Sequence, residues 1–216
     1  MKKSVRKETP RPRRTVRLPT HVRPETIELH FDLDPGRKTF KGDAHYTIDL
    51  EKRVRQIELH AADLAVSGAR VTQDGNACRA TIEAHPECET ILVRFDRLLE
   101  AGRLEVRLKF RGQVRSDLRG LYRSTDREQP WIASQLCPTD ARRFFPCFDE
   151  PGIKARYSIR VMAPADQTVL SNSPSAKRSI LADGRQEVTF ETTPPLSAYL
   201  VAVAVGPFEA SRAARC

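Results

Sequence analysis

The sequence predicts an all-β protein, built as one multi-sheet antiparallel domain. Three observations carry this. Apolar and polar residues alternate with period two through most of residues 25–114. Short Pro-, Gly- and charge-rich turns separate those runs. No amphipathic helical stretch longer than two turns occurs in residues 20–115. Period two puts alternate side chains on opposite faces, which is what a half-buried antiparallel strand requires.

Each element follows in order. "ETIELHFDLD" (25–34) sets Ile27, Leu29, Phe31 and Leu33 on one face, and the pattern resumes in "TFKGDAHYTIDLE" (39–51) after a turn at Pro35–Gly36. "QIELHAADLAVSGARVT" (56–72) holds two short strands. "CRATIEA" (78–84) and "ETILVRF" (89–95) flank a turn at His85–Pro86, and "GRLEVRLKFRGQV" (102–114) is the longest clean alternation. "RGLYRSTDREQPWIAS" then reads as a hairpin with a polar tip. Beyond the dense segment "SQLCPTDARRFFPCFDEPG" (134–152), strands are expected in "ARYSIRVMAP" (155–164), "QTVLSNS" (167–173), "QEVTFETT" (186–193) and "SAYLVAVAVGPF" (197–208). The last is the most continuously apolar run and is expected to be the most buried strand. There is no internal repeat and no linker composition, so one domain is the simplest architecture.

At 216 residues with 39% hydrophobic and 30% charged side chains, the composition is that of a globular protein. The net charge of +9 is unevenly placed. Residues 1–16 hold seven Lys/Arg against one Glu, and the remaining chain is close to balance. Those residues are expected to form a basic, disordered tail. Such a tail has affinity for RNA or anionic surfaces, but a solubilising leader is the simpler role, so nucleic acid is not the expected partner. No apolar run follows the basic start as a secretion signal requires, and none is long enough for a membrane span. The cysteines at 78, 88, 137, 147 and 216 are odd in number and not closely paired. They read as free thiols in a reducing, cytoplasmic setting.

The dense segment packs two Cys, three Pro, three acids and two Arg into nineteen residues. A complete catalytic apparatus is nonetheless missing from the pattern. Zinc sites on helices use two His four apart around a Glu. The histidines here, at 21, 30, 45, 60 and 85, are too far apart for that. Cys137 and Cys147 have nine residues between them, as do Cys78 and Cys88, so neither pair forms a knuckle. There is no G-x-S-x-G, no His in the second half and no glycine-rich phosphate loop. Locally, Asp140 is placed to cap a short helical turn, and Arg142 or Arg143 to pair with Asp149 or Glu150. Pro146 and Pro151 stiffen "CFDE", with Cys147 and Phe148 directed inward.

The segment "ARRFFPCFDEPGIKARY" (141–157), preceded by "SQLCPTD" and followed by "LSAYLVAVAVGPFE" (196–209), closely resembles the amino-terminal domain of the M1 family of zinc aminopeptidases. The opening "RLPTHVRPETIELHFDLD…IELHAADLAV" is similar to that family's entry strands, and the likeness covers roughly residues 17–210. It implies a saddle-shaped β domain that leans on a separate catalytic domain, which supplies H-E-x-x-H, a distal Glu for zinc, a G-A-M-E-N loop and a Tyr. None of those motifs occurs in these residues, so the chain is expected to be part of a longer enzyme, with residues 211–216 starting the connection. The resemblance also implies peptide substrates held by their free amino terminus.

Family members carry T-Q-x-E or T-Q-x-Q ahead of D-A-R-R, and the last residue of that tetrad holds the substrate amine. The matching residues here are Ser134, Gln135, Leu136 and Cys137. Gln135 matches the family Gln near the first substrate side chain, and Cys137 stands at the anchor. A thiol is a weak donor and poor acceptor, whereas a charge-assisted bond from a carboxylate contributes about 1.5–3 kcal/mol. The substitution implies altered specificity, a weak enzyme or a non-catalytic scaffold. A small residue in a reshaped pocket is a simpler role for Cys137 than a redox thiol or metal ligand, although Arg142 or Arg143 could provide the cation that, like a helix N-terminus, lowers a thiol pKa.

Overall fold

The computed structural model describes residues 17–209. The predicted basic tail and the predicted connecting residues lie outside them. Sixteen strands and three single 3-10 turns make up the described chain. Strands β1 (Val22–Asp32) and β2 (Thr39–Leu50) form the first hairpin, joined through the Pro35–Gly36 turn. Next come β3 (Val54–His60), β4 (Ala65–Gln73), β5 (Asn76–Cys78), β6 (Ala80–His85), β7 (Thr90–Leu99) and β8 (Gly102–Gln113). The expected polar-tipped hairpin is β9 (Gly120–Asp126) and β10 (Gln129–Gln135), turning at Arg127 and Glu128, both with positive φ. The remainder is β11 (Lys154–Pro164), β12 (Thr168–Ser171), β13 (Ser175–Ile180), β14 (Arg185–Phe190), β15 (Leu196–Ser197) and β16 (Val203–Gly206).

Three sheets result. The largest runs β13-β14-β11-β1-β2-β8-β4-β5, with the two-residue β15 also on β11. A four-stranded sheet runs β12-β16-β10-β9, and a three-stranded one β3-β7-β6. The fold is all-β, as expected, with one departure from antiparallel pairing. β1 and β11 lie parallel, with Ile27 opposite Tyr157 and Phe31 opposite Val161. A parallel pair needs a long crossover. Here the crossover consists of β2 to β10 and the dense segment, so the two strands bracket most of the domain.

The expected single strand over 197–208 is corrected. It breaks into β15, a 3-10 turn at Ala198–Leu200 and β16. Leu200 is half exposed on that turn. Uniform apolarity hid the break because it carries no period from which to read the backbone. β16 itself is central in its sheet, with Val203 and Val205 buried.

The core lies under the large sheet and is aromatic. Phe31, Phe40, Tyr46 and Phe110 project from β1, β2 and β8 and are almost fully buried. Phe144 and Phe145 reach them from the dense segment, and the Phe144 ring stacks on Phe31 with centroids 4.3 Å apart and planes 3° from parallel. Glycine is required where two rings cross the β2–β8 pair. Gly42 faces Phe110 and Gly112 faces Phe40 in register. A Cβ on Gly42 would stand 2.3 Å from the Phe110 ring, and one on Gly112 would stand 2.5 Å from that of Phe40.

Candidate functional site

The dense segment leaves β10 at Gln135 and does not enter another strand until Lys154. Its two halves behave differently. Residues 144–149 are buried, whereas Gln135, Cys137, Pro138 and Thr139 are exposed, with only Leu136 directed inward. The Cys137–Pro138 peptide is cis. The Leu136 carbonyl accepts from the Asp140 N–H at 2.8 Å, closing the loop into a turn. Gln135 Oε1 accepts from the Cys137 N–H at 3.3 Å, so the two candidate substrate-binding residues share one local bond.

Behind this turn lies a network of arginines and carboxylates. Arg142 Nε donates to Asp149 Oδ2 at 2.9 Å, and its Nη1 reaches Glu89 Oε2 at 3.2 Å. Arg143 Nη2 donates to the other Glu89 oxygen at 3.0 Å, its Nε to Asp140 Oδ1 at 2.9 Å, and its Nη1 to Asp63. Arg115 meets Asp63 at 3.1 Å and is paired two ways with Asp117. One carboxylate, Glu89, therefore bridges two consecutive arginines. Bonds of this kind are charge-assisted and directional, so the planar guanidinium groups fix the angle of the turn as well as its position.

One expectation about support is revised, and one left open between alternatives is decided. Asp140 makes no side-chain cap on the 3-10 turn Ala141–Arg143. Three residues give too few free N–H groups to compete with a guanidinium, and the carboxylate goes to Arg143 instead. Glu150 takes neither Arg142 nor Arg143. It accepts from the Leu18 N–H at 2.6 Å and pairs with Arg17 at 3.2 Å, tying the start of the described chain to the segment. Of the pairings left open for Arg142 and Arg143, Arg142 with Asp149 is the one that forms, and Cys147 and Phe148 are buried as expected.

Partners from the first half of the chain complete the bracing. His60 and Cys147 exchange both backbone bonds, at 2.8 and 2.9 Å. His60 Nδ1 accepts from the Asp149 N–H at 3.3 Å, which assigns that nitrogen as the unprotonated one. The Tyr46 hydroxyl donates to the Pro146 carbonyl at 2.5 Å, and the Ala62 N–H to that of Arg142 at 2.8 Å. Sequence reading identified none of Tyr46, His60, Asp63 or Glu89 as part of this site. They lie 53 to 100 residues away from their partners. Glu89 itself closes the turn Pro86–Cys88 with a left-handed backbone (φ 54°), just ahead of β7.

Burial sets the electrostatics. It pushes the Asp149 carboxyl above the usual carboxylate range, against the pull of Arg142. Burial also raises the Cys147 thiol well above its ordinary value, and the charge of Asp149 adds to this. Cys147 is therefore a packing residue rather than a nucleophile. Cys137 is the one exposed thiol among the four described cysteines, all of them free. Among the described residues, no group of three or more His, Cys, Asp and Glu side chains is arranged to hold a metal ion.

The described chain is thus an all-β domain in which arginines and carboxylates brace an exposed turn. Its sequence matches the family model of the Peptidase M1 N-terminal domain over residues 23–200, and the chain belongs to that family. It is 34% identical over 197 residues to Aminopeptidase M1-D of Oryza sativa subsp. japonica, covering 89% of this chain and 22% of the relative. Aminopeptidase 2 of Candida albicans is 35% identical over 199 residues, covering 88% and 21%. The Puromycin-sensitive aminopeptidase of Caenorhabditis elegans is 34% identical over 203 residues, covering 89% and 21%. The chain thus spans about a fifth of the length of these relatives.

Proposed function

We propose that this chain is the substrate-facing β domain of a zinc-dependent aminopeptidase, which removes residues from the free amino termini of peptides. The observation that carries this reading is the exposed turn at Gln135 and Cys137, held from behind by Arg142 and Arg143. A turn built this way presents its polar atoms to something outside the domain. In the proposed enzyme that is the cleft of a catalytic domain, where the Gln135 amide lies beside the first substrate side chain. Cys137 lies at the substrate amine, offering a thiol where a carboxylate would give a charge-assisted bond. Zinc, when bound, would supply an activated water and polarise the scissile carbonyl. The donor set of the described residues does not fit such an ion, so its ligands would lie elsewhere in the protein.

We place the protein in the cytosol, on the strength of four unpaired cysteines at 78, 88, 137 and 147. No described helix is long and apolar enough to cross a membrane.

The test is zinc content and aminoacyl-anilide hydrolysis, measured on the 216-residue chain and on the full product of its gene. Zinc and activity in the longer protein alone are expected. Absence of both from the longer protein overturns the enzyme reading. It would favour a second one, a non-catalytic scaffold, for which the thiol at the anchor position is the specific observation.

A further inference from the structure

The large sheet has one face on the core and one face outward, and the outward face is not uniformly decorated. Strand register sets two polar rows across it. One runs Ser158, Glu28, His45, Arg107, Arg70 over β11, β1, β2, β8 and β4. The next runs Arg160, His30, Asp43, Lys109, Ser67 over the same strands. These rows, apart from Ser67, line a groove of about 540 Å³, within the usual range for small-molecule sites.

Charge is concentrated on one side of it. Arg107 and Arg70 stand directly opposite each other across β8 and β4, and Lys109 lies two residues from Arg107 on the same face. Like charges in directly opposed positions destabilise a sheet. No carboxylate among the described residues lies within ion-pair distance of any of the three, although most arginines near the Gln135 turn are paired. Asp43 faces Lys109 in register yet forms no ion pair with it. The opposed pair Lys41 and Arg111 continues the positive stripe past the groove. On the far side is Arg160, three strand spacings or about 14 Å from Lys109. Its one carboxylate contact is to Glu187 at 3.9 Å.

The backbone makes room beside this cluster. β4 slips register between Ser67 and Arg70, and Gly68 takes a left-handed φ of +65° there. A Cβ at Gly68 would lie 3.7 Å from the Lys109 stem, on the side where the groove is lined. A bulge re-aims the residues around it, and this one brings Arg70 back into line with Arg107.

We propose that this groove binds a small ligand bearing a multivalent phosphate group, seated on Arg70, Arg107 and Lys109. Three unpaired cations on two adjacent strands match a group with several acceptor oxygens and more than one negative charge. A groove of about 540 Å³ is of a size suited to a small molecule. This inference does not depend on the aminopeptidase reading, because the groove is built wholly from this chain's large sheet.

The probe is inorganic tripolyphosphate, titrated calorimetrically into the 216-residue chain at fixed ionic strength. Saturable one-to-one binding is expected, weakened about tenfold or more by Arg107→Gln and by Lys109→Gln. Arg53→Gln removes the same charge from an exposed site outside the groove and is expected to leave binding unchanged. All three residues are exposed, so circular dichroism is expected to match the parent. No saturable binding, or equal weakening by Arg53→Gln, overturns the proposal. So does tighter binding of a glutamate-rich peptide than of tripolyphosphate to the parent chain, weakened by the same two variants.

Discussion

Gln135 folds back onto Cys137, its side-chain oxygen accepting from the Cys137 N–H at 3.3 Å. The Gln135 side chain thus holds the Cys137 backbone, and moving that side chain frees the Cys137 N–H. In the full protein, Gln135→Ala is expected to raise KM for aminoacyl substrates more than it lowers kcat. Cys137→Glu supplies a carboxylate at the same position and is expected to lower KM by about ten- to a hundredfold. Steady-state kinetics on an alanyl anilide checks both, and an unchanged KM in the Glu variant would remove Cys137 from the amine site.

Arg142 is the countercharge of Asp149, whose side chain is 1% exposed. Arg142→Ala leaves that carboxylate buried without its ion pair, at an expected cost of about 3–5 kcal/mol. The pH dependence has a definite sign. Burial already raises the Asp149 carboxyl, so the folded state binds its proton more readily than the unfolded state does. Stability from this group falls as pH rises from the ordinary carboxylate range through the raised value. Losing Arg142 widens that window. Urea unfolding is expected to show a larger deficit at about pH 8 than at about pH 5.

Packing carries its own prediction. Phe144→Ala removes the ring stacked on Phe31 and empties fully buried space, with an expected loss of about 3–5 kcal/mol. Gly42→Ala forces the Phe110 ring to shift and is expected to cost about 1–3 kcal/mol. Denaturant midpoints of the two variants check this, with an unchanged m-value marking an effect on stability alone.

At the edge of the network, the Arg115 guanidinium bonded to Asp117 holds its carboxyl down at about 2. The stability this pair gives is present above the ordinary carboxylate value and is lost as pH falls through about 2. Arg115→Gln is expected to return Asp117 to the usual carboxylate range. The side-chain carbonyl shift of Asp117, followed by NMR over pH, reads this directly.

The strands with clean alternation were legible because their period reports burial one residue at a time. β1, β2 and β8 alternate in the structure as they do in the sequence, and Ile27, Leu29 and Phe31 all face the core. The run 197–208 was not legible, since an unbroken apolar stretch has no phase and gave no warning of the turn at Ala198–Leu200. Within the dense segment, the sequence marked the inward Cys147 and Phe148 and a pairing of Arg142 or Arg143 with Asp149 or Glu150, because these are local.

The sequence by itself thus determined the all-β class, the face each alternating strand buries and the place of the dense charged segment. Tertiary structure alone decided which distant charges meet. Glu89 joins Arg142 to Arg143, His60 accepts from the Asp149 N–H, and Arg70 is set opposite Arg107. The parallel pairing of β1 with β11 belongs to the same class of decision. Each depends on bringing together residues dozens of positions apart. That choice is made by burial of the whole core, and no local period or spacing encodes it.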